Sequence, residues 1–274
     1  MATKITDFSR LCIHTMTTKP WSLGEAIEGY VRADIPAITV WRQHLQPQGL
    51  QESARMLKDS GLNVVSLCRG GFFPAETQEG RQAAIDDNRR AVDEAAAIGA
   101  PLIVLVCGAV PGMPLTEARR QITDGIASVA PYAKEAGVAL SIEALHPMYA
   151  DSRSAVNSLG QANDMAEQLA LPNVGVTVDV YHLWWDPDLE RQVARAGKNI
   201  RSFHVCDWRT PTRDILNDRG LMGEGCINIR EIRGWVEKTG FSGPIEVEIF
   251  SDELWAGDQT QFVERIKTAY LGHV

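Results

Sequence analysis

A chain of 274 residues with a formal net charge of −8, 45% apolar and 23% charged residues, has an ordinary globular composition and is long enough for one large α/β barrel or two small domains. The acidic balance argues against a surface built to grip phosphate backbones, and no stretch approaches the roughly 18 apolar residues of a membrane span. The opening MATKITDFSR lacks the basic-then-apolar pattern of a signal peptide, and the five dispersed cysteines form no CxxC pair, so a reduced, cytoplasmic protein without disulfides or a zinc cluster is expected.

Along the chain, short β-branched runs alternate with longer amphipathic segments. RLCIHTM (10–16) leads into SLGEAIEGYVRAD, and AITVWRQ (37–43) into LQESARMLKDSG. NVVSLCRGG (63–71) precedes an alanine-rich helical pattern from Thr77 to Gly99. PLIVLVCG (101–108) precedes LTEARRQITDGIASVAPYAKEAG, which Gly137 closes where helices favour glycine. VALSIEAL (138–145) precedes SLGQANDMAEQLAL, and VGVTVDV (174–180) precedes DLERQVARAGK. IRSFHVCD (200–207) precedes INIREIRGWVEKTG, and GPIEVEIF (243–250) precedes TQFVERIKTAY. Eight strand-then-helix units thus fill the chain with no linker between them. Near-continuous apolar strands alternating with helices imply a parallel sheet, and eight units in this length predict a single (β/α)8 TIM barrel spanning residues 1–274. An open doubly wound sheet is the alternative, but GxGxxG is absent after the first strand.

In such a barrel the active site lies at the C-terminal ends of the strands. The fifth strand carries Glu143 there, the sixth Asp179, the seventh His204, and the eighth both Glu246 and Glu248. Glu143, Asp179, His204 and Glu248 each fall about five or six residues into their strands, which predicts one height near the mouth. Glu246 and Glu248 share strand parity; Glu248 is taken as the ligand and Glu246 as a deeper supporting charge. One buried acid would read as a structural ion pair, with Arg69 or Arg201 as partner. Three carboxylates with an imidazole in a dry site call instead for a cation, and the donor set suits Mn2+, Mg2+, Co2+ or Zn2+, with Mn2+ foremost.

Around this set, His146 in EALHP is a candidate general base or substrate ligand. His14 and His44 end the first two strands, where a cavity contact and a surface role are equally open. Arg209, Arg213 and Arg219 lie on a long loop, RTPTRDILNDRGLMGEG, and loops of this length in barrels carry function. Trp184 and Trp185, with Trp21, Trp41 and Trp208, offer flat faces suited to sugar C–H groups or to packing.

The segments SIEALHP, VGVTVDVYH, RSFHVCD, MGEGCINI and VEIF make the half from Val138 to Phe250 resemble the xylose isomerase-like superfamily, most closely its inosose isomerase branch, with similarity to ketose 3-epimerases. The first half agrees mainly in its alternation. The resemblance implies a divalent metal on Glu143, Asp179, His204 and Glu248. It also implies a substrate contact at His182 of the D-x-x-H pattern, and Glu143 and Glu248 as the acid–base pair. In relatives that eliminate a β-substituent His146 would be the extra base; by their place at strand ends and on the long loop, Arg209, Arg219, His14 and Trp184 are candidate substrate contacts. The implied activity is isomerisation or epimerisation of a sugar, keto-sugar or keto-inositol by α-proton abstraction through an enediolate. The alternative is a lyase of the same fold, cleaving 3-keto-glycosides or dehydrating dehydroshikimate. An endonuclease IV-like repair enzyme is disfavoured by the six histidines and acidic balance, and a metal-free binding barrel is the remaining class. The expected partner is a small sugar or polyol, with no nucleic acid or membrane; a homo-oligomer is compatible, although no segment marks an interface.

Overall fold

Each of the eight β-branched runs forms a strand. The computed structural model describes residues 2–274. Its barrel strands are β1 (Leu11–His14), β2 (Ala37–Trp41), β3 (Asn63–Gly71), β4 (Leu102–Val106), β5 (Ala139–Glu143), β6 (Val174–Asp179), β7 (Ile200–Val205) and β8 (Ile245–Val247). They pair in parallel in sequence order, and β8 closes on β1. The chain is therefore a closed (β/α)8 barrel, with Leu23–Arg32, Leu50–Ser60, Gln78–Ala97, Leu115–Glu135, Leu159–Leu169, Leu189–Ala196, Ile229–Lys238 and Gln259–His273 as its outer helices. Among the described residues, no helix is long and apolar enough to cross a membrane.

Local signals set the helix ends. Ser22 accepts from the Glu25 amide while the Glu25 carboxylate accepts from the Ser22 amide, a reciprocal cap that satisfies two otherwise free donors. Thr77, Ser158, Asn228 and Asp258 cap later helices through their side-chain oxygens. Gly137, at φ 74°, ends the fourth helix: its amide donates to Lys134 O and the Val138 amide to Ala133 O, the paired bonds of a Schellman ending.

The strands divide their side chains between two environments. Residues of one parity, among them Ile13, Ile38, Leu105, Ile142, Val178, Phe203 and Val247, point outward into one continuous apolar layer shared with the helices. A fully buried Ile or Leu contributes about 1.5–3 kcal/mol, so this shell carries most of the stability. Residues of the other parity face the barrel axis. There Cys12, Ala37 and Val65, the extra residue where the β2–β3 register shifts, form only a small apolar plug, and above them Thr39, Ser66, Ser141, Thr177 and Ser202 are all buried. The interior is hydroxyl-rich where bulky branched residues would otherwise fill such a barrel.

Two details differ from the sequence reading. Strand β6 ends at Asp179, and Val180–Leu183 turns at once into a short helix. Beyond β7, Asp207–Trp208 pairs antiparallel with Arg219–Gly220, so the long loop is a ribbon folded back over the mouth.

Candidate active site

Four strands send two inward residues each toward the mouth, two positions apart: Ser141 and Glu143, Thr177 and Asp179, Ser202 and His204, Glu246 and Glu248. The upper members converge. Ligand-capable atoms of Glu143, Asp179, His204 and Glu248 all lie within 4.8 Å of one another, and all four residues are buried. They are not all register partners. Glu143 pairs with Thr177, Asp179 with His204, and His204 with Glu246. Because barrel strands tilt by about 36°, a ring at constant height steps up the register, so Glu248 reaches the level of His204 although Glu246 lies beside it in the ladder.

The cluster leaves buried acceptors without donors. Asp179 Oδ1 accepts from the Tyr181 amide at 2.7 Å and thereby caps the short helix, but its Oδ2 has no hydrogen-bond partner. Glu143 Oε1 and His204 Nδ1 are likewise unpartnered. His204 Nδ1 stands 3.3 Å from Glu143 Oε1 and 3.9 Å from Asp179 Oδ2. Burial raises the pKa of Asp179, Glu248 and Glu143 raise it further, and Arg219 and His204 oppose them. Unpaired buried acceptors facing a common point are costly, and a divalent cation is a group their donor set fits.

Glu246 has a different role in the geometry. Its Oε2 accepts from Thr39 Oγ1 at 2.6 Å, Ser66 Oγ at 3.1 Å and His14 Nε2 at 3.2 Å, and its Oε1 accepts from Ser202 Oγ. Burial alone would raise its pKa, yet His204, His14 and Ser202 bring it down to about 2. The Ser202 hydroxyl, having given its proton to Glu246, accepts from His204 Nε2 at 2.8 Å. This relay keeps the proton of the neutral ring on Nε2, so that loss of the second proton frees the Nδ1 lone pair toward Glu143 and Asp179. Without a cation, burial lowers the His204 pKa but Glu246 and Glu143 raise it to about 9.

His14 is fully buried beneath this ring, which removes the surface alternative. Its Nδ1 is 3.2 Å from Glu248 Oε1 and also 3.2 Å from the Trp41 indole nitrogen. Burial lowers its pKa and the contacts to Glu246 and Glu248 raise it to about 9, while the indole N–H competes with a proton on Nδ1. Arg219 Nη1 donates to Glu248 Oε2 at 2.7 Å, and its guanidinium lies 4.3 Å over Tyr181 and 4.7 Å over Phe250. Against burial, Arg219 and then His14 hold Glu248 well below the usual carboxylate range. His182 is buried beside Arg219, and burial together with that charge keeps it neutral.

The remaining sequence candidates separate. His182, Arg219, Glu143 and Glu248 line a cavity of about 20 Å³, room for about one water. His146 does not line it: its Nδ1 accepts from the Met148 amide at 3.2 Å, and its ring stacks on Trp208 at 5.0 Å. Arg209 turns away to Glu224 and Glu253, at 2.9 and 3.1 Å. Trp184 packs on Trp208 at 5.6 Å and is not part of the cavity wall. His44 bonds Thr15 at 3.2 Å outside the cluster. The sequence reading missed Tyr149 and Arg153, and took Phe250 only as the end of its strand; all three line the cavity. Tyr149 closes it by donating to Ile215 O on the folded-back ribbon, beside Leu216.

A closed parallel barrel with acids and one imidazole gathered at its C-terminal mouth defines the class, and the sequence pattern of the xylose isomerase-like TIM barrel family matches residues 10–267. The chain belongs to that family. Its relatives include an inosose isomerase of Halalkalibacterium halodurans, 24% identical over 88% of this chain and 84% of that protein. A ketose 3-epimerase of Arthrobacter globiformis is 20% identical over 82% and 86% of the two chains. Among solved structures, a protein from Sinorhizobium meliloti 1021 superposes with a TM-score of 0.95 at 48% identity, covering 97% of this chain and 99% of that one. The IOLI protein with a bound zinc atom superposes with a TM-score of 0.86 at 20% identity, covering 97% and 98%.

Proposed function

We propose that the protein is a divalent-metal-dependent isomerase or epimerase of a keto-sugar or keto-inositol. The observation that carries this reading is the set of unpartnered atoms on Glu143, Asp179 and His204, facing one another beside Glu248. The names of the inosose isomerase and ketose 3-epimerase relatives support it, as does the zinc atom of the IOLI structure.

In this reading Glu143, Asp179, His204 and Glu248 hold the ion, with Mn2+ the first to be tested. A bound divalent ion supplies attraction for the negative charge that develops on adjacent carbonyl and hydroxyl oxygens of the substrate. Glu143 and Glu248, carried by β5 and β8, exchange the α-proton of the substrate, one removing it to give an enediolate and the other returning a proton. Return to the same carbon from the other face gives an epimer, and return to the neighbouring carbon gives an isomer. Arg219 keeps Glu248 ionised and so able to accept a proton. Neutral His182 is placed to bond a substrate hydroxyl, and Tyr149 and Phe250 exclude water from the cavity.

The test is solvent exchange. Metal-loaded protein is incubated in D2O with a panel of ketoses and inososes and followed by proton NMR. The expected outcome is loss of an α-proton signal with an epimer or isomer appearing, abolished by EDTA and restored by Mn2+. Release of a leaving group with an enone product, or no exchange in any metal-loaded state, would overturn the reading.

A further inference from the structure

Two arginines at the mouth, Arg69 and Arg153, make neither an ion pair nor a side-chain hydrogen bond among the described residues, whereas each of the other partly or fully buried arginines has one or both. Arg42, Arg209 and Arg219 each hold a carboxylate, at 2.6, 2.9 and 2.7 Å respectively, and Arg81, Arg119, Arg201 and Arg230 each donate to a backbone carbonyl. Arg69, half-buried at the end of β3, lies 4.2 Å over the Phe72 ring, and among the described residues it makes no ion pair. Its charged surroundings are mostly repulsive: Arg153 and Arg42 lower its pKa further after burial has lowered it. The nearby acid, Asp87, is already taken by Arg42 at 2.8 Å and Arg90 at 3.0 Å. Arg153 is also half-buried, lies 5.7 Å over the Tyr149 ring, and makes no ion pair among the described residues. It lines the same cavity as Glu143, Glu248 and Arg219.

The backbone clamps these two arginines to one side of the mouth. Gly108, at the exit of β4, donates to Arg153 O at 3.0 Å and accepts from the Ala155 amide at 2.9 Å. A Cβ on Gly108 would come within 2.7 Å of Phe72 Cα, and its φ of +96° suits glycine alone. The segments carrying Arg69 and Arg153 are thus pressed together through a glycine that leaves no room for a side chain. No nitrogen of either guanidinium is sealed from solvent, so an arriving anion can reach both, and a guanidinium presents a planar fork of donors matched to a phosphate or carboxylate.

We infer that Arg69 and Arg153 form a subsite for an anionic group of the substrate, a phosphate or a carboxylate. The substrate class narrows accordingly, to a phosphorylated or acidic keto-sugar whose reacting carbons sit at the carboxylate cluster and whose anion sits against β3 and the loop after β5. The reaction assigned to this substrate rests on the isomerase reading, whereas the anion site does not.

Two measurements on the metal-loaded protein test it separately. First, inorganic phosphate is titrated calorimetrically into the wild type and into Arg69→Gln, Arg153→Gln, Arg153→Lys and the double glutamine variant. Phosphate should bind the wild type at least tenfold more tightly than either glutamine variant, with Arg153→Lys in between, and thermal melts check folding. Equal phosphate affinity in the wild type and a folded double variant would overturn the subsite. Second, deuterium exchange compares D-ribulose 5-phosphate with D-ribulose, and 5-keto-D-gluconate with D-fructose. One charged member should be favoured in kcat/KM by about 100-fold, chiefly through KM, and that preference should fall toward one in the glutamine variants. The favoured pair tells phosphate from carboxylate, and no preference in either pair would overturn the substrate class. Phosphate binding without exchange of any ketose would sink the isomerase reading and leave the anion site standing; exchange of neutral ketoses without phosphate binding would do the reverse.

Discussion

The two halves of the barrel mouth differ in what they leave unsatisfied. Strands β5 to β8 contribute Glu143, Asp179, His204 and Glu248, and three of these present a buried atom with no hydrogen-bond partner. Strands β1 to β3 contribute His14, Thr39 and Ser66, each bonded to Glu246. One half is an open set of ligands, and the other a saturated scaffold reaching across the interior to brace it. Changes in the first half should therefore remove chemistry, and changes in the bracing should detune it.

The largest effect is expected at Glu248. Glu248→Gln keeps the size of the side chain but removes the proton acceptor and a ligand charge. Turnover should fall by about 10²–10⁴-fold or more, the range of a single acid–base group. The apolar shell between strands and helices is untouched, so far-UV circular dichroism should match the wild type. Full retained turnover would break the acid–base assignment.

Asp179→Asn comes next. Saturating Mn2+ at 100 times its dissociation constant should stabilise the wild type by about 2.7 kcal/mol, and EDTA should reverse this. In the asparagine variant the Mn2+-dependent rise in Tm should largely vanish, while the EDTA-treated protein should be no less stable than the wild type, because a desolvated charge has been removed. The pH dependence has a defined sign. His204 is held at about 9 without a cation, so at neutral pH the ion must displace a proton. Apparent affinity should weaken by about tenfold per pH unit as pH falls from 9 toward 7, for one proton released. A flat profile would show that His204 Nδ1 is not a ligand.

A smaller effect sharpens the division between ligands and bracing. Ser202→Ala breaks the link from Glu246 to His204 Nε2 while all four candidate ligands stay in place. Loss of such an orienting bond costs about 10–100-fold in metal affinity, and the pH profile should shift because the His204 tautomer is no longer fixed. An unchanged calorimetric isotherm would mean that the relay is only packing.

This division also explains what was legible in the sequence. Strand runs and inward parity follow from a period of two, so the converging residues could be placed by counting. The ring beneath them stood two residues earlier on each strand, as Ser141, Thr177, Ser202 and Glu246, but a serine in a strand carries no signal of whether it is buried. Register steps around a tilted barrel have no local sequence trace either. Arg209 and Arg219 lie on the same loop, and only the pairing of Asp207–Trp208 with Arg219–Gly220 turns one inward to Glu248 and leaves the other on Glu224 and Glu253. His146, three residues beyond Glu143, lies off the cavity wall because the chain turns at Pro147–Tyr149 and His146 caps that turn. Arg153 escaped notice because its position depends on a loop crossing to Gly108.

The smallest predicted effect lies outside the cluster, at His44, and separates scaffold titration from site titration. The Thr15 hydroxyl accepts from the Trp41 amide at 3.0 Å and shares a second hydrogen bond with His44 Nδ1 at 3.2 Å. Burial lowers the His44 pKa to about 4, against about 6.5 in the unfolded chain. The unfolded state therefore binds the extra proton first, and His44 costs stability as pH falls from about 6.5 to 4, by no more than about 3 kcal/mol in all. Asp179 acts with the opposite sign in cation-free protein, since its raised pKa makes the folded state hold a proton that the unfolded state releases above about 3.9. The two trends offset each other in the wild type, so the informative quantity is the difference between His44→Gln and the wild type, by urea titration at pH 7 and pH 5 in EDTA. The variant should lose less stability on acidification, or gain some. If both proteins respond identically, His44 is not buried neutral, and the acid response belongs to the β5–β8 side of the mouth alone.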